Sequence, residues 1–350
     1  MTITVLLTND DGPPSDHSPF IWGFYKHLVK ELGWNVKVVV PSSQKSWIGK
    51  AFLIAEVTKG WYYYPKDPDG HGEWSEASRP LKEGEIAEWI LLDGTPATCA
   101  NISINNLYPN QLDLVLSGPN MGRNTSTAFS MSSGTIGAAL SASLTGLRSI
   151  AISYGIVEHP SPPVYLPHAH GLGLKIISKL WSDWGVDQGG SRVASRISET
   201  STAKEGDREV DLYTINVPLI PRLQEPGSVE VLHTTTWRNQ YGRLFKALKP
   251  AADTPSGAAA PPEGPDAAPP KSTQPTTTVP PSTTSSSDSN PLRFKFAPDM
   301  SNLIPKSSNE IPEGTDAWAI HNGYASVTAL RASFAEPSEV GSTSGRKMKL

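Results

Sequence analysis

The sequence predicts a three-layer α/β/α fold around a mostly parallel sheet with hairpin excursions, and three observations carry that prediction. Short apolar runs are nearly continuous, as strands buried on both faces require; they end on polar or glycine-bearing tips; and helical spacings separate them. The first run, Thr2 to Leu7, stops directly on Thr8-Asn9-Asp10-Asp11-Gly12. Neighbouring strand residues point to opposite faces, so Asp10 and Asp11 converge only where the chain is already turning. Gly12, Pro13 and Pro14 make it turn. A solvated turn has the same composition; a metal site is the sharper reading.

A helix follows over Phe20 to Leu32, with Phe24, Leu28 and Leu32 on one face and Gly33 as its stop. Asn35 to Val40 is the next strand, ending on the hydroxyl-rich tip Pro41-Ser42-Ser43-Gln44-Lys45-Ser46. Residues Phe52 to Glu88 are aromatic and polar and read as a hairpin excursion, not sheet core. Its run Trp61-Tyr62-Tyr63-Tyr64 is expected to pack on itself or on a partner subunit, with stacking on a base as the rarer use. Glu88 to Leu92 is a strand. Cys99, after Thr95-Pro96-Ala97 at the first turn of a helix, reads as a buried inert thiol, and as the lone cysteine it excludes an internal disulfide.

Leu112 to Leu116 is a strand ending on Ser117-Gly118-Pro119-Asn120-Met121-Gly122-Arg123-Asn124, where glycines let backbone amides approach a ligand and two carboxamides can turn inward. Ser132-Ser133-Gly134-Thr135 then opens a helix over Ile136 to Leu147, and a helix start of this kind suits an anion. Ser149 to Ser153 and Asp211 to Val217 are further strands, with a helix at Gly171 to Trp184 between them. His168 and His170 have no Cys or acidic partner nearby in sequence, so they read as ordinary histidines and not as zinc ligands.

From about Pro250 to Pro291 the chain is Ala, Pro, Ser and Thr with almost no aliphatic bulk, a composition that cannot offset its ordering entropy. It is expected to be a disordered insertion within one domain spanning 1–350. Gly189 to Asp207 reads as a flexible loop on the same ground, and Ser342 to Leu350 as a frayed tail. The net charge of −4 carries no basic footprint for a nucleic-acid polymer. No apolar stretch approaches the roughly 20 residues of a membrane span, so a soluble cytoplasmic protein without membrane contact is expected.

In parallel sheets ligands bind beyond the carboxyl ends of the strands, and two acids, a hydroxyl, two carboxamides, an arginine and a helix start all fall there. Oxygen ligands of this kind favour a hard cation, Mg²⁺ or Mn²⁺, and hard cations partner phosphates. Metal-assisted hydrolysis of a phosphate monoester is therefore the leading reading. An aspartyl-phosphate mechanism of the haloacid dehalogenase type is a rival, but it wants Asp-x-Asp where these acids are adjacent. A non-enzymatic nucleotide- or phosphate-binding module is the other.

The chain resembles the SurE family of survival-protein phosphatases and nucleotidases. The resemblance rests on Leu7-Thr8-Asn9-Asp10-Asp11-Gly12, on Asp93-Gly94-Thr95-Pro96-Ala97-Thr98-Cys99, on Ser117 to Asn124, and on Ser133-Gly134-Thr135-Ile136-Gly137-Ala138-Ala139. Gly314 to Ile320 followed by Gly323 to Thr328 resembles the family's C-terminal signature. The resemblance implies a Rossmann-like sheet, a divalent metal held by Asp10, Asp11, Ser46 and Asn120, and a phosphate bordered by Asn9, Asn124, Ser133, Gly134 and Thr135. Amides of the Gly118 to Asn124 loop, with Arg123, would add donors. It further implies nucleoside monophosphates as substrates, broader acid phosphatase activity, and a homodimer or dimer of dimers. There are departures: Ser42-Ser43-Gln44 replaces the usual Asp-Arg-Asn, Trp47 stands where the family has a small residue, and Pro13-Pro14-Ser15-Asp16 is more like fungal members than bacterial ones. The C-terminal signature is rich in strand formers, Trp318, Ile320, Tyr324 and Val327, which must be buried somewhere.

Overall fold

The apolar runs become the buried strands of one ten-stranded sheet. A computed structural model describes residues 2–156, 161–184, 210–248, 292–304 and 307–334. The expected insertion at 250–291, the loop from Gly189 to Asp207 and the tail from Ser342 to Leu350 lie outside the described residues.

The strands are β1 (Thr4–Thr8), β2 (Asn35–Pro41), β3 (Gly60–Pro65), β4 (Gly72–Ser75), β5 (Trp89–Leu92), β6 (Leu114–Met121), β7 (Ser149–Ile156), β8 (Leu212–Leu219), β9 (Val231–Thr234), β10 (Phe245–Ala247), β11 (Phe294–Phe296) and β12 (Ala325–Leu330). The helices are α1 (Ile21–Leu32), α2 (Pro96–Ile102), α3 (Ser126–Ser132), α4 (Gly134–Leu144), α5 (Leu166–Asp183) and α6 (Asp316–His321). The sheet order is β4-β3-β5-β2-β1-β6-β7-β8-β12-β9, and β5 through β8 in that order are all parallel neighbours.

Alternation along β1 explains the layers. Val5 and Leu7 join the core beneath α1 and α5, with Phe24, Leu28, Leu174 and Ile177, while Leu6 faces the opposite cluster with Cys99 of α2 and Ala142 of α4. This is the expected three-layer α/β/α arrangement with a Rossmann-like parallel centre. Helix α1 ends where expected, on Gly33 in the left-handed conformation. Cys99 is fully buried, and burial holds its thiol well above the ordinary range. His170 is a core residue: its Nδ1 lies 2.9 Å from the Tyr154 hydroxyl, and burial lowers its pKa to about 3, so it stays neutral. Among the described residues no group of three or more His, Cys, Asp or Glu is placed to hold a metal.

One expectation is corrected. The aromatic hairpin is β3 and β4, but β3 pairs antiparallel with β5, so it extends the central sheet. The reason is bulk as well as an open edge: Tyr63 and Tyr64 are buried, and Trp89 lies 5.2 Å from Tyr25, 5.8 Å from Trp22 and 6.2 Å from Tyr63 between ring centroids. The strand formers Trp318 and Ile320 lie on α6, because Thr315 caps that helix by accepting from the Trp318 amide. Trp318 then stacks on Tyr324 at 5.8 Å, and Ile320 and Val327 are buried within the same chain.

Candidate active site

Chain direction across the sheet reverses between β1 and β6: from β1 the chain steps outward to β2 and β5, then returns to the other side of β1. In open α/β sheets ligands bind beyond the carboxyl ends of the strands at such a point. Asp10 and Asp11 follow β1 there, and Asn120 is the penultimate residue of β6, next to the Met121 whose amide meets Asp11.

Both acids are only 3% exposed. Burial is the main influence on Asp10 and lifts its carboxyl from 3.8 to about 6; the Thr135 hydroxyl, which donates to Oδ1, and main-chain groups of Asp10, Thr135 and Gly134 act against that rise. Asp11 accepts from the Met121 amide through Oδ2 at 2.9 Å, which ties the tip of β1 to the tip of β6. Gly134 makes room for Asp10: a Cβ there would lie 2.7 Å from the Asp10 Cβ and 2.9 Å from its Oδ2. The positive start of α4 therefore faces a carboxylate of the chain itself. Ser133 caps that helix, its Oγ accepting from the Ile136 amide at 3.1 Å.

Other expected site residues turn out to brace the backbone around the two acids. The Asn9 amide donates to the Gly12 carbonyl at 2.8 Å and to Ser18 Oγ at 3.1 Å, while its Oδ1 accepts from the Gly12 amide at 3.0 Å, so its contribution is to close the turn that aims Asp10 and Asp11. Asn124 donates through Nδ2 to Ser153 Oγ at 2.9 Å, and its backbone amide reaches Asn216 Oδ1 at 2.7 Å. Asn120 donates to the Gly122 carbonyl at 2.7 Å. Gly118 lies inside β6 at φ 118°, against the β7 backbone. Ser46 is half-buried, one residue after Lys45, whose amide donates to the Asp10 carbonyl at 2.7 Å.

Against known families, the sequence profile described as survival protein SurE matches residues 5–243. The chain belongs to the SurE family. Among curated SurE relatives, a 5'-nucleotidase SurE from Hyperthermus butylicus is 35% identical over 162 residues, 45% of this chain and 47% of that protein. A probable tubulin–tyrosine ligase PBY1 from Saccharomyces cerevisiae is 36% identical over 262 residues, 69% of this chain but 32% of its own length. The chain thus spans between a third and a half of these relatives. A solved SurE protein from Aquifex aeolicus shares the fold, with a TM-score of 0.52 at 20% identity over 95% of this chain and 94% of that one.

Within this SurE chain, several residues that build the site carry no local signal. Ser153 and Asn216 hold Asn124 from neighbouring strands. Asp316, 2% exposed, accepts from the amides of Ser126 at 2.8 Å, Trp237 at 2.9 Å and Ala317 at 2.7 Å, and burial raises its carboxyl to about 6. It joins the loop after Asn124 to a segment more than a hundred residues later. Only its place in the C-terminal signature marked it.

Proposed function

We propose that this chain is a divalent-metal-dependent hydrolase of phosphate monoesters, acting on nucleoside monophosphates as a 5'- or 3'-nucleotidase with wider acid phosphatase activity. The observation that carries the reading is the pair of adjacent, almost fully buried carboxylates at the switch point of a parallel sheet, at the positive end of α4.

The donor chemistry fits a hard cation. Asp10 and Asp11 supply charge, and with no larger group of acids or histidines among the described residues, the remaining donors would be the neutral oxygens of Ser46 and Asn120. When bound, Mg²⁺ or Mn²⁺ supplies Lewis-acid neutralisation of a phosphoryl group and acidifies water. Thr135 orients Asp10 by holding its Oδ1, and Met121 orients Asp11. Ser133, Gly134 and Thr135 border the phosphate at the start of α4, and Arg123 adds a donor for its equatorial oxygens; the amides of Met121, Gly122 and Asn124 are already taken by Asp11, Tyr154 and Asn216, so Asn124 contributes by fixing the segment after β6. Asn9 keeps the turn closed.

Release of phosphate from p-nitrophenyl phosphate and from nucleoside 5'- and 3'-monophosphates, measured with Mg²⁺, Mn²⁺ or chelator, tests this. Turnover that chelator removes and added metal restores is the expected result. No turnover with either metal, or turnover indifferent to chelator, overturns it.

Assembly as a homodimer or dimer of dimers belongs to the same proposal. A groove of about 560 Å³ lined by Met131, Ile136, Leu140, Leu144, Leu330 and Phe334 leaves apolar surface on the outer side of α4, with Met131 59% and Phe334 89% exposed. Light scattering is expected to give at least twice the 37.6 kDa chain mass, and a monomer at micromolar concentration speaks against it.

A further inference from the structure

The loop carrying Ser46 holds a backbone conformation that its own sequence disfavours. Trp47 has φ 59°, in the left-handed region that large side chains rarely enter. Such a residue persists only where its surroundings over-determine it, and these positions gather at functional sites.

Aromatic packing is what over-determines Trp47. Its ring meets Phe129 of α3 edge-on at 5.7 Å and Phe296 of β11 edge-on at 5.2 Å, and it tilts against Tyr241 at 6.5 Å. Phe296 is in turn backed by Phe245, its cross-strand partner on β10, at 5.5 Å. The Tyr241 segment is fastened to α3: Thr127 donates to the Trp237 carbonyl at 2.8 Å, Ala128 to Asn239 Oδ1 at 2.9 Å, and the Tyr241 hydroxyl to the Ala128 carbonyl at 2.8 Å. On the other side of Ser46, the Lys45 amide holds the Asp10 carbonyl, while beyond Trp47 the Gly49 amide donates to the Ser132 carbonyl at 2.8 Å. Ser46 therefore sits between a tether to the acidic pair and an aromatic anchor.

We propose that Trp47 is a positioning residue: by anchoring on Phe129, Tyr241 and Phe296 it holds the Ser46 segment beside Asp10 and sets the affinity of the site for a divalent cation. The inference rests on the metal-dependent reading above. It also gives the small β10–β11 sheet a part in the site, since Phe296 reaches the metal loop through one side chain.

Trp47→Gly separates backbone ease from anchoring, because glycine accepts φ 59° without strain but removes the ring. Calorimetric titration of Mn²⁺ into the metal-free full-length protein is the measurement. Trp47→Gly, folded by circular dichroism, is expected to bind Mn²⁺ roughly tenfold more weakly, the scale on which groups that orient metal ligands act. Trp47→Phe should restore most of the affinity. Phe296→Ala, which touches no candidate ligand, should move affinity in the same direction by a smaller factor. A purely structural role would lower the melting temperature of these variants and leave Mn²⁺ affinity near the parent's; that result overturns the proposal. Should Trp47→Gly fail to fold, Phe296→Ala decides alone. Asp11→Asn separates the two layers of inference: if it too binds Mn²⁺ like the parent, the metal reading itself falls, whereas loss in Asp11→Asn with no change in Trp47→Gly removes only the positioning role.

Discussion

Asp10→Asn is expected to lower turnover by about a thousandfold or more while leaving a folded protein that, in chelator at pH 8, is more stable than its parent. The loss follows from the role proposed for the carboxylate: charge stabilisation at a metal-assisted phosphoryl transfer is worth several kcal/mol, and each 1.36 kcal/mol is tenfold in rate. The gain follows from burial. The folded-state pKa of Asp10, about 6, stands above its ordinary 3.8, so the folded protein keeps a proton that the unfolded chain releases between those values. Stability from this group is complete below pH 4 and is lost as the pH rises through about 6, by at most on the order of 3 kcal/mol. Asparagine carries no charge to bury, and its oxygen can still accept from Thr135. The advantage of the variant should therefore shrink towards zero at pH 4, and saturating Mn²⁺ should raise the parent's melting temperature but not the variant's. Asp316 has the same upward shift and is present in both proteins, so the difference between them reports Asp10 together with the neighbouring acid it is coupled to. Asp11→Asn should lose turnover as fully. An active, folded variant at either position removes the catalytic reading; a chelated parent whose melting temperature is flat from pH 4 to 8 removes the account of Asp10.

The second large effect is on folding. Gly118→Ala is expected to leave little soluble protein, with a destabilisation above about 4 kcal/mol, the exceptional range that overpacking against fixed backbone can reach. A Cβ at this position would lie 2.1 Å from the Ile152 carbonyl oxygen and 3.0 Å from the Asn120 amide nitrogen, and φ is 118°. Neither neighbour can withdraw, because Ile152 is in β7 at the sheet centre and Asn120 is paired with Ser153 of β7 near the end of β6. Gly171→Ala is the matched control: it lies in α5 with no atom within 4 Å of a new Cβ, and alanine there should stabilise by about 0.5–1 kcal/mol. Thermal melts of the two variants check both statements. A soluble Gly118→Ala protein with the parent's melting temperature would contradict the close packing of β6 on β7.

Much of this molecule is legible in its sequence. The central strands β1, β2, β5, β6, β7 and β8, the helix stop at Gly33 and the Ser133 cap of α4 were all expected at or within a few residues of where they lie. So was the convergence of Asp10, Asp11, Asn120 and the start of α4 on one rim. Each of these depends on residues close together in sequence: continuous apolarity means burial on both faces, and a capping serine acts three residues ahead. The inert Cys99 was legible at the first turn of its helix; that His170 is buried against Tyr154 and neutral was not.

Tertiary structure alone decided the rest. The β3–β4 hairpin joined the sheet because β5 offered an edge and Trp22, Tyr25 and Trp89 offered aromatic surface. Of the strand formers in the C-terminal signature, Trp318 and Ile320 went into a helix, because Thr315 could cap it and Asp316 could collect three amides, while Val327 went into β12. Asn9 and Asn124, as open to a ligand as any carboxamide in the sequence, were drawn into the turn and into the bonds to Ser153 and Asn216. Trp47 took a glycine-like conformation because three rings from distant segments hold it there. The sequence by itself determined which segments are strands and where their polar tips fall, because burial periodicity and turn chemistry are local. Only the folded chain decided which side chain at those tips faces a ligand and which is spent on the scaffold: that depends on hydrogen-bond partners such as Ser126 and Asp316, 190 positions apart, whose pairing the local sequence does not encode.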